Sequence, residues 1–283
     1  MCHQILTPFG SDVHAGPEGV IRDHLVKLIC IITSKVLIIL CGLTLLYSTK
    51  TTRRRIALLI ENSAYSDLQI LPSVINDVRD MRSMLIKLKF KVLSAENVDL
   101  AQLYAYEKEF YREIKPNDAV LIYFAGHGYH CKNDTYFIPL DHKRAGSYSH
   151  QQLIRRLNKN KENIIFIYII DTCPQNSVQC DNIPMKTDKT CLENPHIVIY
   201  ATQLGSKAYD YETKRWQVVG YKNGQLTSGV LKHMKTPNMD IRKMAKMVKE
   251  YVKLYATRPQ LPEMQDNCLN ESFIFNSIEH EEF

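Results

Sequence analysis

The chain has 283 residues, 45% of them hydrophobic and 23% charged, the balance of an ordinary globular protein and a length that suits one substantial α/β domain with an added segment. Its net charge of +6 is too small to imply nucleic acid as a partner. The eight cysteines form no CxxC pair and no Cys/His cluster at zinc spacing, so they offer no metal site and do not read as a disulfide framework; a reducing compartment is the simpler reading.

Residues 1–25 are polar and without periodicity, as in a poorly ordered terminus. Residues 28–46 carry one charge, Lys35. That run is long enough to cross a hydrocarbon core of about 20 apolar residues, although a charge near its middle costs about 2.5–3.5 kcal/mol. The uninterrupted part, 36–47, equally suits a buried strand or helix. Lys50 and the arginines at 53–55 follow at once and would hold the C-terminal side in the cytoplasm if the run spans. Two locations therefore follow: cytoplasmic, or membrane-anchored with the remainder facing the cytoplasm.

From residue 55 onward strands and helices alternate. The apolar run 56–60 predicts a buried strand. Val78, Met81, Leu85 and Leu88 lie on one helix face. Residues 90–93 predict a strand, and 100–114 a helix ended by Pro116. Three further apolar runs, 119–124, 164–170 and 197–200, predict strands. Ile241, Met244, Val248, Val252 and Tyr255 make a last helix face with Asp240 as its cap. Strands separated by helices imply a mainly parallel sheet covered on both sides, whose ligands bind at the carboxyl ends of the strands. The basic residues cluster at 53–55, 155–161 and 243–253; the last set reads as a solvated helix face.

Two of those strand ends carry reactive groups. Phe-Ala-Gly-His-Gly-Tyr occupies 124–129, in the loop expected after strand 119–124. Asp-Thr-Cys-Pro occupies 171–174, in the loop expected after 164–170. Glycines beside His127 let another backbone approach closely. Cys173 needs a base or positive charge nearby to become a thiolate, and a histidine on the neighbouring loop supplies one. The thiolate would attack a carbonyl, the imidazolium would protonate the leaving amine, and the amides of Gly128 and Cys173 would stabilise the oxyanion. Spacing alone leaves the blander readings open: a buried cysteine and a glycine turn.

Residues 55–278 resemble the caspase-like domain of paracaspases. The likeness runs through 56–62 (IALLIEN), Asp77-Val78, 123–129 (YFAGHGY), 137–141 (FIPLD), 170–173 (IDTC), Tyr200-Ala201-Thr202 with Gly205, and Ser228-Gly229. It implies a three-layer α/β caspase-like sandwich with a six-stranded, mostly parallel sheet. It divides the chain into a tail at 1–54, a peptidase domain at 55–278 and a tail at 279–283. It implies a cysteine endopeptidase of signalling, without cofactor or metal, in which His127 is the general base and Cys173 the nucleophile. Asp77, Asp171 and Asp210 fall on the positions that line the family's specificity pocket. Three acids there imply protein or peptide substrates with arginine before the scissile bond, held by charge-assisted hydrogen bonds. The resemblance also implies a homodimer through the last strand, about 263–266, whose free edge can pair with a second copy. Three residues depart from the family: Asp210 stands where the family has a glutamate, Glu61 replaces a glycine, expected to alter a turn, and Pro174 follows the nucleophile where a basic residue is common. The death and immunoglobulin-like domains that flank this protease are not expected in the chain. Pro174 motivates an alternative, a catalytically silent scaffold that dimerises. A metacaspase-like protease is a second alternative, although no acidic cluster suited to calcium stands out.

Overall fold

The computed structural model describes residues 29, 31–33, 35, 53–131, 134–174, 195–202, 222–255 and 260–278, with Cys173 and Pro174 described through their backbone. The chain divides into residues 1–52 and 53–283. In the first unit the described residues are helical. No helix among the described residues is long and apolar enough to cross a membrane; most of the 28–46 run lies outside them.

In the second unit the strands are β1 (Arg55–Glu61), β2 (Phe90–Glu96), β3 (Ala119–Cys131), β4 (Asp134–Phe137), β5 (Tyr148–Ser149), β6 (Ile165–Pro174), β7 (His196–Tyr200) and β8 (Glu263–Asn267). The helices are α1 (Pro72–Lys87), α2 (Leu100–Glu113), α3 (His142–Ala145), α4 (His150–Asn158), α5 (Gln225–His233) and α6 (Ile241–Tyr255). Among the described residues the sheet has eight strands. Six form its main path in the order β2-β1-β3-β6-β7-β8, and β4 and β5 extend from the end of β3. All pairs along the main path are parallel except β7 with β8. The expected six-stranded, mostly parallel sheet is this path.

Successive side chains of a strand point to opposite faces, and the apolar strands divide accordingly. Ala57 and Leu59 pack with Val74, Val78, Met81 and Leu85 of α1, Val230 of α5 and Met244 and Val248 of α6. Ile56, Leu58 and Ile60 pack on the other face with Leu103 and Phe110 of α2 and Leu153 and Leu157 of α4. Helices cover both faces, which is why the central strands read as continuous apolar runs.

Local chemistry fixes the helix ends. Pro72 opens α1, where its missing N–H costs nothing. Asp99 and Gln102 form a reciprocal capping box on α2, and Ile114 leaves the helix in an extended conformation shortly before Pro116. Asp240 accepts from the Arg242 amide at 2.9 Å at the start of α6. Tyr255, expected on the buried face of α6, is instead 49% exposed, because it falls in the helix's last turn, beyond the buried Val252.

Other expectations are corrected. Glu61 is not in a turn: it ends β1, opposite Glu96 and Ala125. The residue is 3% exposed, and burial, with Glu96 adding to it, pushes its pKa up. The segment 137–141 that resembles the family is strand only at its start: β4 ends at Phe137, and the amides of Ile138 and Leu140 donate to the carbonyls of His127 and Val98 in other segments. Cys131 and Cys268 are disulfide-bonded; disulfides join residues close in space, and spacing along the chain carried no sign of it. The basic group 53–55 is engaged within the fold: Arg54 pairs with Asp118 at 2.6 Å, Arg53 pairs with Glu271, and Arg55 donates to the carbonyls of Leu88 and Ile274.

Candidate active site

The strands that carry His127 and Cys173 are longer than their apolar runs. β3 continues to Cys131 and β6 to Pro174. Neither residue is in a loop. The parallel pairing runs unbroken through Gly126↔Thr172, His127↔Cys173 and Gly128↔Pro174. His127 and Cys173 are therefore register partners at the carboxyl ends of adjacent central strands. Pro174 comes at the last position of β6, where the ladder with β3 ends, and the preceding Cys173 is extended, as a residue before proline prefers.

Glycine is needed at 128 for space. A β-carbon there would fall 2.8 Å from the Tyr136 carbonyl oxygen and 2.9 Å from Thr172 Cγ2, both closer than van der Waals contact allows. The bare backbone lets β4 pair with β3 directly beside His127.

His127 is 2% exposed. Its Nε2 lies 2.7 Å from the carbonyl oxygen of Gln69, which can only accept, so Nε2 carries the proton. In the neutral ring the basic lone pair is then on Nδ1. The Tyr65 ring sits 4.8 Å from the imidazole. The Tyr65 hydroxyl accepts from the His127 amide at 3.2 Å and donates to the Ile138 carbonyl at 2.8 Å. The segment between β1 and α1 thus fixes both the ring and the backbone of the histidine.

Asp77 and Asp171 come together from α1 and β6 around Gly224, the residue before α5. A β-carbon at Gly224 would lie 3.0 Å from Asp77 Oδ2 and 3.4 Å from Asp171 Oδ2. The Gly224 amide donates to Asp77 Oδ1 at 2.8 Å, and Thr227 Oγ1 donates to Asp171 Oδ2 at 2.7 Å. With its one hydroxyl hydrogen donated to Asp171, Thr227 accepts from the Tyr123 hydroxyl at 2.7 Å. Burial first, then the charges of Asp77 and Asp171, raise the Tyr123 pKa well above that of an ordinary phenol. It stays a neutral donor, and a chain Tyr123–Thr227–Asp171 orients the carboxylate. Asp210 lies outside the described residues.

Five residues at this site were given no role from the sequence, although Tyr123 opens the matched segment 123–129. Gln69 acts through a backbone carbonyl, which no side-chain motif records. Tyr65 stands in a polar segment without periodicity. Tyr123 reads as one more member of an apolar strand. Gly224 and Thr227 flank the start of α5; Thr227 directly precedes the Ser228-Gly229 pair that matched the family pattern, and that adjacency was the available clue.

The comparison with known families agrees with this architecture. The caspase domain model matches residues 54–274. The mucosa-associated lymphoid tissue lymphoma translocation protein 1 of Homo sapiens and its Mus musculus homolog are each 27% identical over 161 residues, covering 56% of this chain and 19% of theirs. The chain spans about a fifth of the length of these curated relatives. With more than half of its length matched by one family model and 27% identity to these relatives over the matched stretch, the chain belongs to the caspase-domain family and is paracaspase-like within it.

Proposed function

We propose that residues 55–278 form a cysteine endopeptidase that cleaves after arginine, with Cys173 as nucleophile and His127 as general base. The register of His127 opposite Cys173 carries this reading. The Gln69 carbonyl on Nε2 supports it, since a proton held on Nε2 makes Nδ1 the basic atom of the neutral ring. The thiolate attacks the substrate carbonyl, and the protonated imidazole returns the proton to the leaving amine. The amides of Gly128 and Cys173 are the proposed oxyanion donors. Asp77 and Asp171, with Asp210 as a third acid by resemblance, receive the arginine guanidinium, whose planar fork engages more than one carboxylate. The test is hydrolysis of matched peptides ending in arginine, lysine or aspartate. The arginyl peptide should be cleaved fastest and lysyl more slowly, with Cys173→Ala inactive. A preference for aspartate, or activity that survives Cys173→Ala, refutes the proposal.

The edge position of β8, beyond β7, supports pairing of two copies through that strand. Specific activity should then rise with protein concentration, and a monomer fully active at high dilution contradicts it. Pro174 favours a second reading, a silent dimerising scaffold. A thiol-reactive arginyl peptide decides between them, since labelling of Cys173 is expected only of the enzyme.

A further inference from the structure

A cleft of about 400 Å³ opens between α1 and α5, within the size range of small-ligand sites. Four of its lining residues are lysines: Lys87 of α1, Lys222 before α5, Lys232 within α5 and Lys235 just after it. One carboxylate lies among them, Asp80, 2.8 Å from Lys222 Nζ. Lys232 rests over the Tyr251 ring at 4.7 Å. Lys87 and Lys235 have no acidic partner among the described residues. Several ammonium groups around one cleft repel each other, and a bound multiply charged anion relieves that repulsion.

A second observation, independent of the charges, also asks for an acceptor there. Asn223 lines the cleft and is only 6% exposed, yet its enclosed Nδ2 has no hydrogen-bond partner among the described residues. A buried donor left unpaired costs on the order of 1–3 kcal/mol; a rotation of this side chain towards the cleft it lines would bring the amide to an anionic oxygen there. We propose that this cleft binds a small phosphate-bearing anion, held by Lys87, Lys222, Lys232 and Lys235 together with the Asn223 amide. Phosphate suits the site because it presents several charged oxygens to donors converging from different directions, which a single carboxylate does not. The segment carrying Lys222 and Asn223 continues into Gly224, which holds Asp77, so the anion sits beside the proposed specificity pocket without being part of it. The binding claim does not depend on the peptidase reading.

The test is calorimetric titration of the full chain with inorganic pyrophosphate at fixed ionic strength. One saturable site is expected. Lys87→Ala/Lys235→Ala should weaken it about tenfold or more, and Asn223→Asp, which sets a negative charge against the anion, should do the same. Lys108→Ala/Lys159→Ala, in a separate cleft lined from α2 and the end of α4, should leave it unchanged. Sulfate should bind distinctly more weakly. No saturable binding, equal loss in the control variant, undiminished binding in the Lys87/Lys235 variant, or equal affinity for sulfate overturns the proposal. Phosphatidylcholine vesicles doped with a phosphatidylinositol phosphate separate the sources. Retention that pyrophosphate displaces assigns the phosphate to a lipid headgroup, and no retention assigns it to a soluble anion; both keep the site.

Discussion

Asp171→Asn should lower kcat/KM for arginyl peptides about 30-fold or more. Removing one partner of a desolvated charge pair costs about 2–5 kcal/mol, and each 1.36 kcal/mol felt in the transition state is a factor of ten in rate. Asp171 is one of two carboxylates gathered at Gly224, and its ionised form is the one Thr227 donates to. The amide that replaces it keeps the shape and an acceptor but not the charge. Asp77→Asn should act in the same direction. Thr227→Val should act more weakly, because it removes the donor that orients Asp171 and leaves the charge in place. None of the three should much change how fast a small alkylating agent reacts with Cys173, since that reagent makes no use of the acidic pair. The comparison requires kcat/KM on arginyl, lysyl and aspartyl peptides alongside the alkylation rate. If the three variants lose alkylation as much as cleavage, the acids serve the fold or the nucleophile. If they lose neither, the specificity assignment fails.

Both the legible and the illegible parts of this site have physical reasons. The strands leading to it were readable because a parallel strand buried on both faces must be apolar throughout: Ile56 to Ile60 and Ala119 to Phe124 are at most 2% exposed. The faces of α1 and α6 were readable because Val78, Met81 and Leu85, like Ile241, Met244 and Val248, repeat at helical spacing and all turn inward. The ends of β3 and β6 were not readable as strand. Gly126-His127-Gly128 and Thr172-Cys173-Pro174 have no apolar pattern; they stay extended because each is the other's pairing partner. A pattern within one segment does not report a constraint supplied by another. The same limit hid the Gln69 carbonyl and the Thr227 relay, which exist only once α1, β3 and α5 meet. Resemblance supplied Asp77 and Asp171 as members of one pocket, and the geometry around Gly224 brings them together.

Moving the protein from pH 8 to pH 5 should cost about 2 kcal/mol of stability through His150 alone. His150 opens α4 on the face of the sheet opposite α1 and α5. It is 1% exposed, and its Nε2 has no hydrogen-bond partner among the described residues. Its ring packs edge-on to Tyr168 of β6 at 5.1 Å and to Tyr200 of β7 at 6.1 Å, and tilted against Phe137 of β4 at 5.7 Å. Burial first, then the nearby His196 of β7 and His130 of β3, lower its pKa to about 3. The folded state therefore holds this ring neutral, while the unfolded chain protonates it below its ordinary pKa of about 6.5. Stability from this group is complete above pH ~6.5 and declines as pH falls towards about 3. His130 is lowered by burial as well and adds to the decline. Asp134 of β4 is raised by burial and works against it. Both remain in a His150→Leu variant, so the comparison isolates one ring. Between pH 8 and pH 5 the melting temperature of the variant should fall about 4–8 °C less than that of the parent. An equal fall in both would mean that His150 is charged in the fold or is reached by water. This cluster packs beneath β4, and β4 holds the end of β3 that carries His127. Acid inactivation is therefore expected to follow the melting of this layer, and the His150→Leu variant should keep peptide cleavage at pH 5 at temperatures where the parent has lost it.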